Sequence, residues 1–150
     1  MHIRAARPTE AARLTDIVLT AKAYWGYSER QLQLWRESLT LTEEQVLTQP
    51  IFVVEDDGVV GFYSLKFFDG VCELDNLWVV PTEMGRGYGA ALLAHAAEVA
   101  KKRGVQQIRI DADPNAEAFY IRCGATVTAL IPAPIDEQSA RVRPQLLLST

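Results

Sequence analysis

The residues in this chain best suited to chemistry are three glycines at alternate positions, Gly85, Gly87 and Gly89. They follow an apolar run that ends at Pro81, and they precede a segment rich in alanine and leucine over residues 90–100. This order predicts a strand, a glycine loop and a helix. Glycines allow several backbone N–H groups to point into one concavity, and the start of a helix adds unpaired donors and a partial positive charge. The stretch therefore predicts a binding site for phosphate groups.

Two common phosphate-binding loops can be compared with this stretch. A Walker loop requires Lys and Ser or Thr after its last glycine, and this chain has neither there. The dinucleotide-binding pattern Gly-x-Gly-x-x-Ala is matched from Gly85 to Ala90, with Asp111 at about the 20-residue spacing that the pattern requires. That fold needs further βα units, whereas the residues before Glu73 have the pattern of antiparallel hairpins. A nucleotide-dependent oxidoreductase is therefore the weaker interpretation.

The stretch resembles motif A of the GCN5-related N-acetyltransferase (GNAT) family, Arg/Gln-x-x-Gly-x-Gly/Ala after a strand that ends in apolar residues and a proline. Here the motif is Met84-Gly-Arg-Gly-Tyr-Gly89, after Leu77-Trp-Val-Val-Pro81. A later segment, Asp113-Pro-Asn-Ala-Glu-Ala-Phe-Tyr-Ile-Arg-Cys-Gly-Ala, is similar to the family's Asn-x-x-Ala-x-x-Phe-Tyr-x-x-x-Gly-Phe. With the strands before and between these motifs, the resemblance covers most of the chain from about Ile51 onward.

The resemblance implies acetyl-CoA as cosubstrate. The backbone near the end of the strand before motif A would pair with the pantetheine arm, and the glycine loop would hold the pyrophosphate. Met84 replaces the family's Arg or Gln, which predicts weaker cofactor binding at most. Asp113 stands where the family has Asn, so Asn115 either caps the next helix or replaces the missing contact. The implied cofactor-binding residues are Leu77, Trp78, Val79, Gly85, Arg86, Gly87, Tyr88, Gly89, Ala90, Asn115 and Tyr120.

Amine acetylation needs a base, because an alkylamine of pKa about 10.4 is almost entirely protonated at pH 7. Glu73 lies four residues before Leu77, at the position of the glutamate that many family members use as base, and Asp75 points to the same face of the strand. Both could equally be solvent-facing carboxylates. The resemblance also implies that Tyr120 protonates the departing thiolate, although it could instead be an aromatic packed on Gly124.

The acceptor site is the least defined by the sequence. The family usually builds it in part from the first two helices, and Tyr24, Trp25 and Tyr27 lie where those helices meet. These aromatic residues either form one wall of the acceptor pocket or pack as a hydrophobic helix corner. We expect the acceptor to be a primary amine of a small molecule. A protein or peptide amine and a non-catalytic acyl-CoA-binding or sensing module are the alternatives.

The elements that position these residues predict an α/β fold. We expect the GNAT acyl-CoA N-acyltransferase fold, with a mixed twisted sheet of about seven strands, a splayed central pair and four helices, as a single GNAT domain over residues 1–150. The first helix runs to about Tyr24, and capping patterns at Ser28 and Thr42 start two further helical segments. Its expected inward residues include Ala12, Ile17, Ala21 and Tyr24. A long polar loop is predicted over residues 132–144, before a last strand over residues 145–149.

The composition limits the classes of function. A formal charge of −4 and a pI near 5.2 argue against general nucleic-acid or anionic-membrane binding. The N-terminus has no apolar signal core, and no run approaches the roughly 20 residues that span a bilayer, so we expect a cytoplasmic protein. Cys72 and Cys123 lack metal-ligand spacing, and no metal site is expected. A homodimer paired through an exposed last strand is compatible with the pattern.

Overall fold

The protein is described by a computed structural model that covers residues 1–150. Five α-helices are present: α1 Ala11–Tyr24, α2 Glu29–Leu39, α3 Glu43–Thr48, α4 Tyr88–Lys102 and α5 Glu117–Arg122. Seven strands are present: β1 His2–Ala5, β2 Ile51–Glu55, β3 Val59–Phe68, β4 Val71–Val79, β5 Gln107–Asp111, β6 Thr126–Pro132 and β7 Val142–Ser149. Three short 3-10 turns begin at prolines: Pro8–Glu10, Pro81–Glu83 and Pro114–Ala116.

The seven strands form one mixed sheet in the order β1-β2-β3-β4-β5-β7-β6. β4 and β5 run parallel because helix α4 connects them, whereas β1 with β2, β2 with β3, β5 with β7, and β6 with β7 run antiparallel. The β4–β5 pairing covers only residues 72–74 of β4, although β4 continues to Val79. The predicted mixed sheet with a splayed central pair is therefore confirmed.

Residues 1–65 and 76–94 form one compact unit. Helix α1 buries residues at helical spacing because one apolar stripe faces the core. Val53 of β2 and Phe62 of β3 are fully buried members of the same hydrophobic cluster. The buried residues of α1 are Ala11, Leu14, Ile17, Val18, Ala21 and Lys22. The predicted inward positions are correct for Ile17 and Ala21 but wrong for Tyr24, which is 65% exposed, and for Ala12, which is also exposed.

Residues 66–75 and 95–150 form a second compact unit. Strands β5 and β7 alternate buried and outward residues, as expected for strands with one covered face. The fully or nearly fully buried residues of this unit are Cys72, Leu74, Ala96, Ala100, Ile108, Ile110, Ala112, Tyr120, Ala125, Leu146 and Leu148. The outward residues of β4 and β5 are consequently free to line a surface cavity.

Three expectations need correction. The chain has five α-helices, not four, because the capping box at Thr42 starts a separate helix. The last strand β7 lies between β5 and β6, so β6 is the edge strand at that end of the sheet. Strand β7 begins at Val142 and passes through Pro144, whose carbonyl still accepts the Ala112 N–H at 2.9 Å. The polar loop is consequently limited to residues 133–141. No helix is both long and apolar enough to cross a membrane.

Candidate active site

The glycine loop has the backbone geometry expected of an anion-binding device. Gly85 and Gly87 have φ of +81° and +87°, a region that residues with a side chain rarely adopt. Helix α4 starts at Tyr88, and the Ala91 N–H donates to the Gly87 carbonyl at 3.0 Å. The backbone N–H groups of the first turn precede that bond and have no acceptor within the helix. The loop and the first helical turn therefore offer a set of N–H donors together with the positive end of the helix dipole.

One side-chain contact within the first unit anchors the loop. Tyr88 is 7% exposed, and its hydroxyl donates a hydrogen bond to the Asp56 carboxylate in the turn between β2 and β3. This bond is the main cause that raises the pKa of Tyr88 above its usual value. Arg86 is largely exposed and lies 3.2 Å from Glu83. The side chain of Tyr88 therefore anchors the start of α4, while that of Arg86 extends to the surface.

The end of β4 lies very close to β3 in the first unit. A side chain at Gly61 would place its Cβ atom 2.8 Å from the Trp78 carbonyl oxygen, which is closer than real Cβ atoms approach. The Val80 N–H also donates to the Val60 carbonyl at 2.8 Å. The Trp78 indole donates to the Asn76 amide oxygen at 2.9 Å. The backbone of residues 77–79 is thus fixed by close packing against β3.

Four aromatic rings surround the buried ammonium group of Lys22, which is only 8% exposed as a residue. The Lys22 Nζ lies 4.6 to 5.9 Å from the ring centroids of Trp25, Tyr27, Trp35 and Trp78. Such distances give attractive cation–π interactions. Trp25 also packs against Trp78 at 5.6 Å between ring centroids. Two of the three predicted acceptor-wall residues, Trp25 and Tyr27, therefore belong to one cluster, whereas the third, Tyr24, is exposed.

The two predicted catalytic carboxylates line one cavity of about 520 Å³ in the second unit. Glu73 and Asp75 lie on β4, and Arg109 and Asp111 line the same cavity from β5. Asp75 lies 3.5 Å from the Lys66 Nζ, whereas Glu73 has no hydrogen-bond or ion-pair partner. A carboxylate without a partner in an open cavity is available to accept a proton from a bound molecule.

Tyr120 is nearly fully buried in the second unit, with 6% of its surface exposed. Burial is the main cause that raises its pKa well above that of a free tyrosine, and Cys123 and Asp113 add to the shift. Its ring packs edge to face against Phe119 at 5.2 Å between centroids. At neutral pH the phenol is therefore protonated, which is the form that a general acid requires.

The segment before α5 differs from the predicted cap. Asp113 is the cap of the turn Pro114–Ala116, because its carboxylate accepts the Asn115 backbone N–H at 2.8 Å. The Asn115 side-chain amide donates to the same carboxylate oxygen at 2.8 Å. Asp113 also lies 3.5 Å from the Arg141 guanidinium, and both side chains are 5% exposed. Asn115 therefore does not cap α5: Asp113 caps the preceding turn, and the N-cap of α5 is Ala116, which has no capping side chain.

Two residues of the candidate site were not predicted from the sequence: Lys22, in the aromatic cluster, and Arg109, in the cavity. Lys22 stands three residues before Trp25, a helical spacing that places the two side chains on one face. Arg109 alternates with Ile108 and Ile110, so the period-2 pattern of β5 already pointed it away from the core. The helix and strand periods were the available signals. No group of three or more His, Cys, Asp or Glu side chains is placed to hold a metal ion.

The fold and the loop define the class of protein. The structure is similar to that of yncA from Salmonella typhimurium, solved with its cofactor acetyl-CoA, with a TM-score of 0.71 and 25% identity. The match covers 99% of this chain and 93% of the yncA chain. The model of the Acetyltransferase (GNAT) family matches residues 13–125. The chain therefore belongs to the GNAT acetyltransferase family, as the resemblance of its two motifs predicted.

Two curated relatives are acetyltransferases by name. One is the L-methionine sulfoximine/L-methionine sulfone acetyltransferase of Salmonella typhimurium, which is 29% identical over 88% of this chain and 84% of its own length. The other is the mycothiol acetyltransferase of Beutenbergia cavernae, which is 30% identical over 81% of this chain. The chain spans only 44% of the length of that second relative.

Proposed function

We propose that this chain transfers an acetyl group from acetyl-CoA directly to the primary amine of a small molecule. Family membership supports acetyl transfer, and the match to yncA, solved with acetyl-CoA, supports the cosubstrate. The relative named for L-methionine sulfoximine and L-methionine sulfone supports a small-molecule acceptor. The observation that carries the proposal is the partnerless Glu73 carboxylate in the cavity of the second unit.

Cofactor binding is assigned to the glycine loop and to the end of β4. The positive φ values of Gly85 and Gly87 and the unpaired N–H groups at the start of α4 fit the pyrophosphate. The backbone of residues 77–79 is assigned to the pantetheine arm. Arg86 and Asn115 are both exposed and are assigned to the outer cofactor contacts. When bound, acetyl-CoA supplies the thioester that the acceptor nitrogen attacks.

The chain's own residues then handle protons and charge. Glu73 takes a proton from the acceptor ammonium, because only the neutral nitrogen has the lone pair that forms the new carbon–nitrogen bond. The Val79 N–H stabilises negative charge on the carbonyl oxygen. Tyr120 donates its proton to the sulfur as the carbon–sulfur bond breaks, and the second proton that the nitrogen loses as the amide forms replaces it on the phenolate. Trp25 and Tyr27 are assigned to an apolar wall for the acceptor. No covalent enzyme intermediate is required.

The first experiment is a screen of an amine library for release of free thiol from acetyl-CoA, together with calorimetric titration of acetyl-CoA. With an amine that the screen identifies as an acceptor, Glu73→Gln should lower kcat by about 10²- to 10⁴-fold without changing acetyl-CoA affinity. A general base accelerates a reaction by a factor of this order. Asp75→Asn is the matched control and should cost much less, since Lys66 already engages Asp75. Tyr120→Phe should also lower kcat at unchanged affinity.

Three outcomes would overturn parts of this proposal. If the kcat of Glu73→Gln equalled that of the wild type, Glu73 would not be the base. Tight binding of acetyl-CoA without thiol release on any amine would favour an acyl-CoA-sensing module instead. Absence of acetyl-CoA binding would contradict the cofactor role of residues 77–90.

A further inference from the structure

The charged side chains of the cavity divide into two groups. Asp111 is held by the Arg143 Nε at 3.0 Å and by the Gln145 amide nitrogen at 2.8 Å. Asp75 is held by the Lys66 Nζ at 3.5 Å. These carboxylates are already compensated and have little free charge to offer a ligand.

Glu73 and Arg109 form the other group, because neither has a hydrogen-bond or ion-pair partner. They stand opposite each other in the parallel β4–β5 ladder and line the same cavity. Neighbouring strands lie about 4.8 Å apart, so the two side chains start from adjacent points of one surface. The cavity therefore presents one free negative charge and one free positive charge side by side.

The remaining lining combines polar and apolar groups. Thr128, Ala129 and Ile131 of β6 and Gln145 and Leu147 of β7 line the rest of the cavity. A volume of about 520 Å³ lies within the range of small-molecule sites, roughly 300–1,000 Å³. The complementary ligand is a small molecule with an ammonium and a carboxylate close together.

We propose that Arg109 binds the carboxylate of the acceptor, so that the acceptor is an α-amino acid or a close analogue with its amine at Glu73. The inference rests on the proposed function and adds its substrate class. The arginine fork is well suited to this role, because it donates two parallel hydrogen bonds to a carboxylate. The ammonium of the same molecule is attracted to Glu73, which then removes its proton. Arg109 is thus a specificity-determining residue and takes no part in the proton transfers.

The test compares two acceptors that differ only in the carboxylate, L-methionine sulfone and 3-(methylsulfonyl)propan-1-amine. Wild-type protein should prefer the amino acid. Arg109→Gln should raise the KM for the amino acid by roughly 10- to 100-fold, as for one lost charge-assisted pair, while kcat changes little. The kcat/KM for the amine should stay within about twofold, since the amine never used the guanidinium. Arg109→Lys should recover part of the loss, and Arg36→Gln, an exposed arginine on α2, should change neither acceptor.

A binding measurement separates this inference from the proposed function. Saturation-transfer NMR with L-methionine sulfone alone should give a binding signal for the wild type and for Arg36→Gln. The same signal should be absent for Arg109→Gln. If no amine is acetylated, the proposed function fails, and loss of this signal in Arg109→Gln would still support the carboxylate site. Three results would overturn the inference. Arg109→Gln could lower kcat/KM equally for both acceptors, the wild type could prefer the amine, or the NMR signal could be unchanged in Arg109→Gln.

Discussion

Replacing Gly61 by alanine tests the close approach of β3 and β4 in the first unit. The new Cβ would lie 2.8 Å from the Trp78 carbonyl oxygen, 3.2 Å from Val79 Cγ2 and 3.3 Å from Leu92 Cδ1. Because the nearest atom belongs to the backbone, the strands must separate by about 0.6 Å to reach an ordinary contact of 3.4 Å. Overpacking of this kind costs about 1–3 kcal/mol, whereas glycine to alanine in a strand otherwise gains about 0.5–1 kcal/mol.

The two effects have opposite signs, so the direction of the change is itself informative. We expect a net loss of about 1 kcal/mol in the free energy of unfolding, which lowers Tm by roughly 2–4 °C for a chain of this size. Urea unfolding and calorimetric titration of acetyl-CoA are the assays. Acetyl-CoA affinity should fall several-fold, because the displaced backbone of Trp78 and Val79 is the edge assigned to the pantetheine arm.

Gly70→Ala is the control for Gly61→Ala. Gly70 lies in the turn between the same two strands, with φ of +74° and no atom within 4 Å of a built Cβ. Alanine there should cost about 1–2 kcal/mol through backbone strain and leave acetyl-CoA affinity unchanged. If Gly61→Ala proved as stable as the wild type or more so, the steric argument for β3 and β4 would be refuted.

Two further predictions concern the anchoring of the loop and stability at high pH. Asp56→Ala should weaken acetyl-CoA binding by a few-fold with a small loss of stability, because Tyr88 loses the hydrogen bond that anchors α4. Calorimetric titration of acetyl-CoA measures the effect. Unchanged affinity would show that this hydrogen bond is not needed for cofactor binding. Burial raises the pKa of the Cys72 thiol from its usual 9.0 to about 11. The folded state favours the neutral thiol, so its contribution to stability is complete below about pH 9 and is lost as pH rises to about 11. Urea midpoints over this range should fall less steeply for Cys72→Ala, and identical slopes would contradict the assignment.

Much of the fold follows from local signals in the sequence. The capping residues Ser28 and Thr42 start helices where the pattern predicts them, because their hydroxyls accept the backbone N–H three residues on. The turns at Asp56 and Asp69 and the parallel β4–β5 pair also agree with prediction. Each depends on contacts within a few residues or on a connecting helix, so the sequence alone specifies it.

The predictions from the sequence were wrong where contacts between residues far apart in the chain determine the structure. Tyr24 was expected to face the core, but the apolar stripe of α1 lies one position away from it. Strand β7 passes through Pro144, because Pro144 still pairs with Leu130 of β6 and its carbonyl accepts the Ala112 N–H. The position of β7 between β5 and β6 is likewise a matter of sheet order, which no local pattern encodes.

The sequence by itself determined the glycine loop, the family and the carboxylates on β4, because motif residues and strand alternation are local properties. Only the tertiary structure decided which of those carboxylates is free. Lys66 compensates Asp75 and leaves Glu73 without a partner, and the β4–β5 register sets Arg109 beside it. Whether a charge has a partner depends on side chains far apart in the chain. Charge pairing therefore belongs to the folded state, and here it supports the proposal that Glu73 is the base and Asp75 is not.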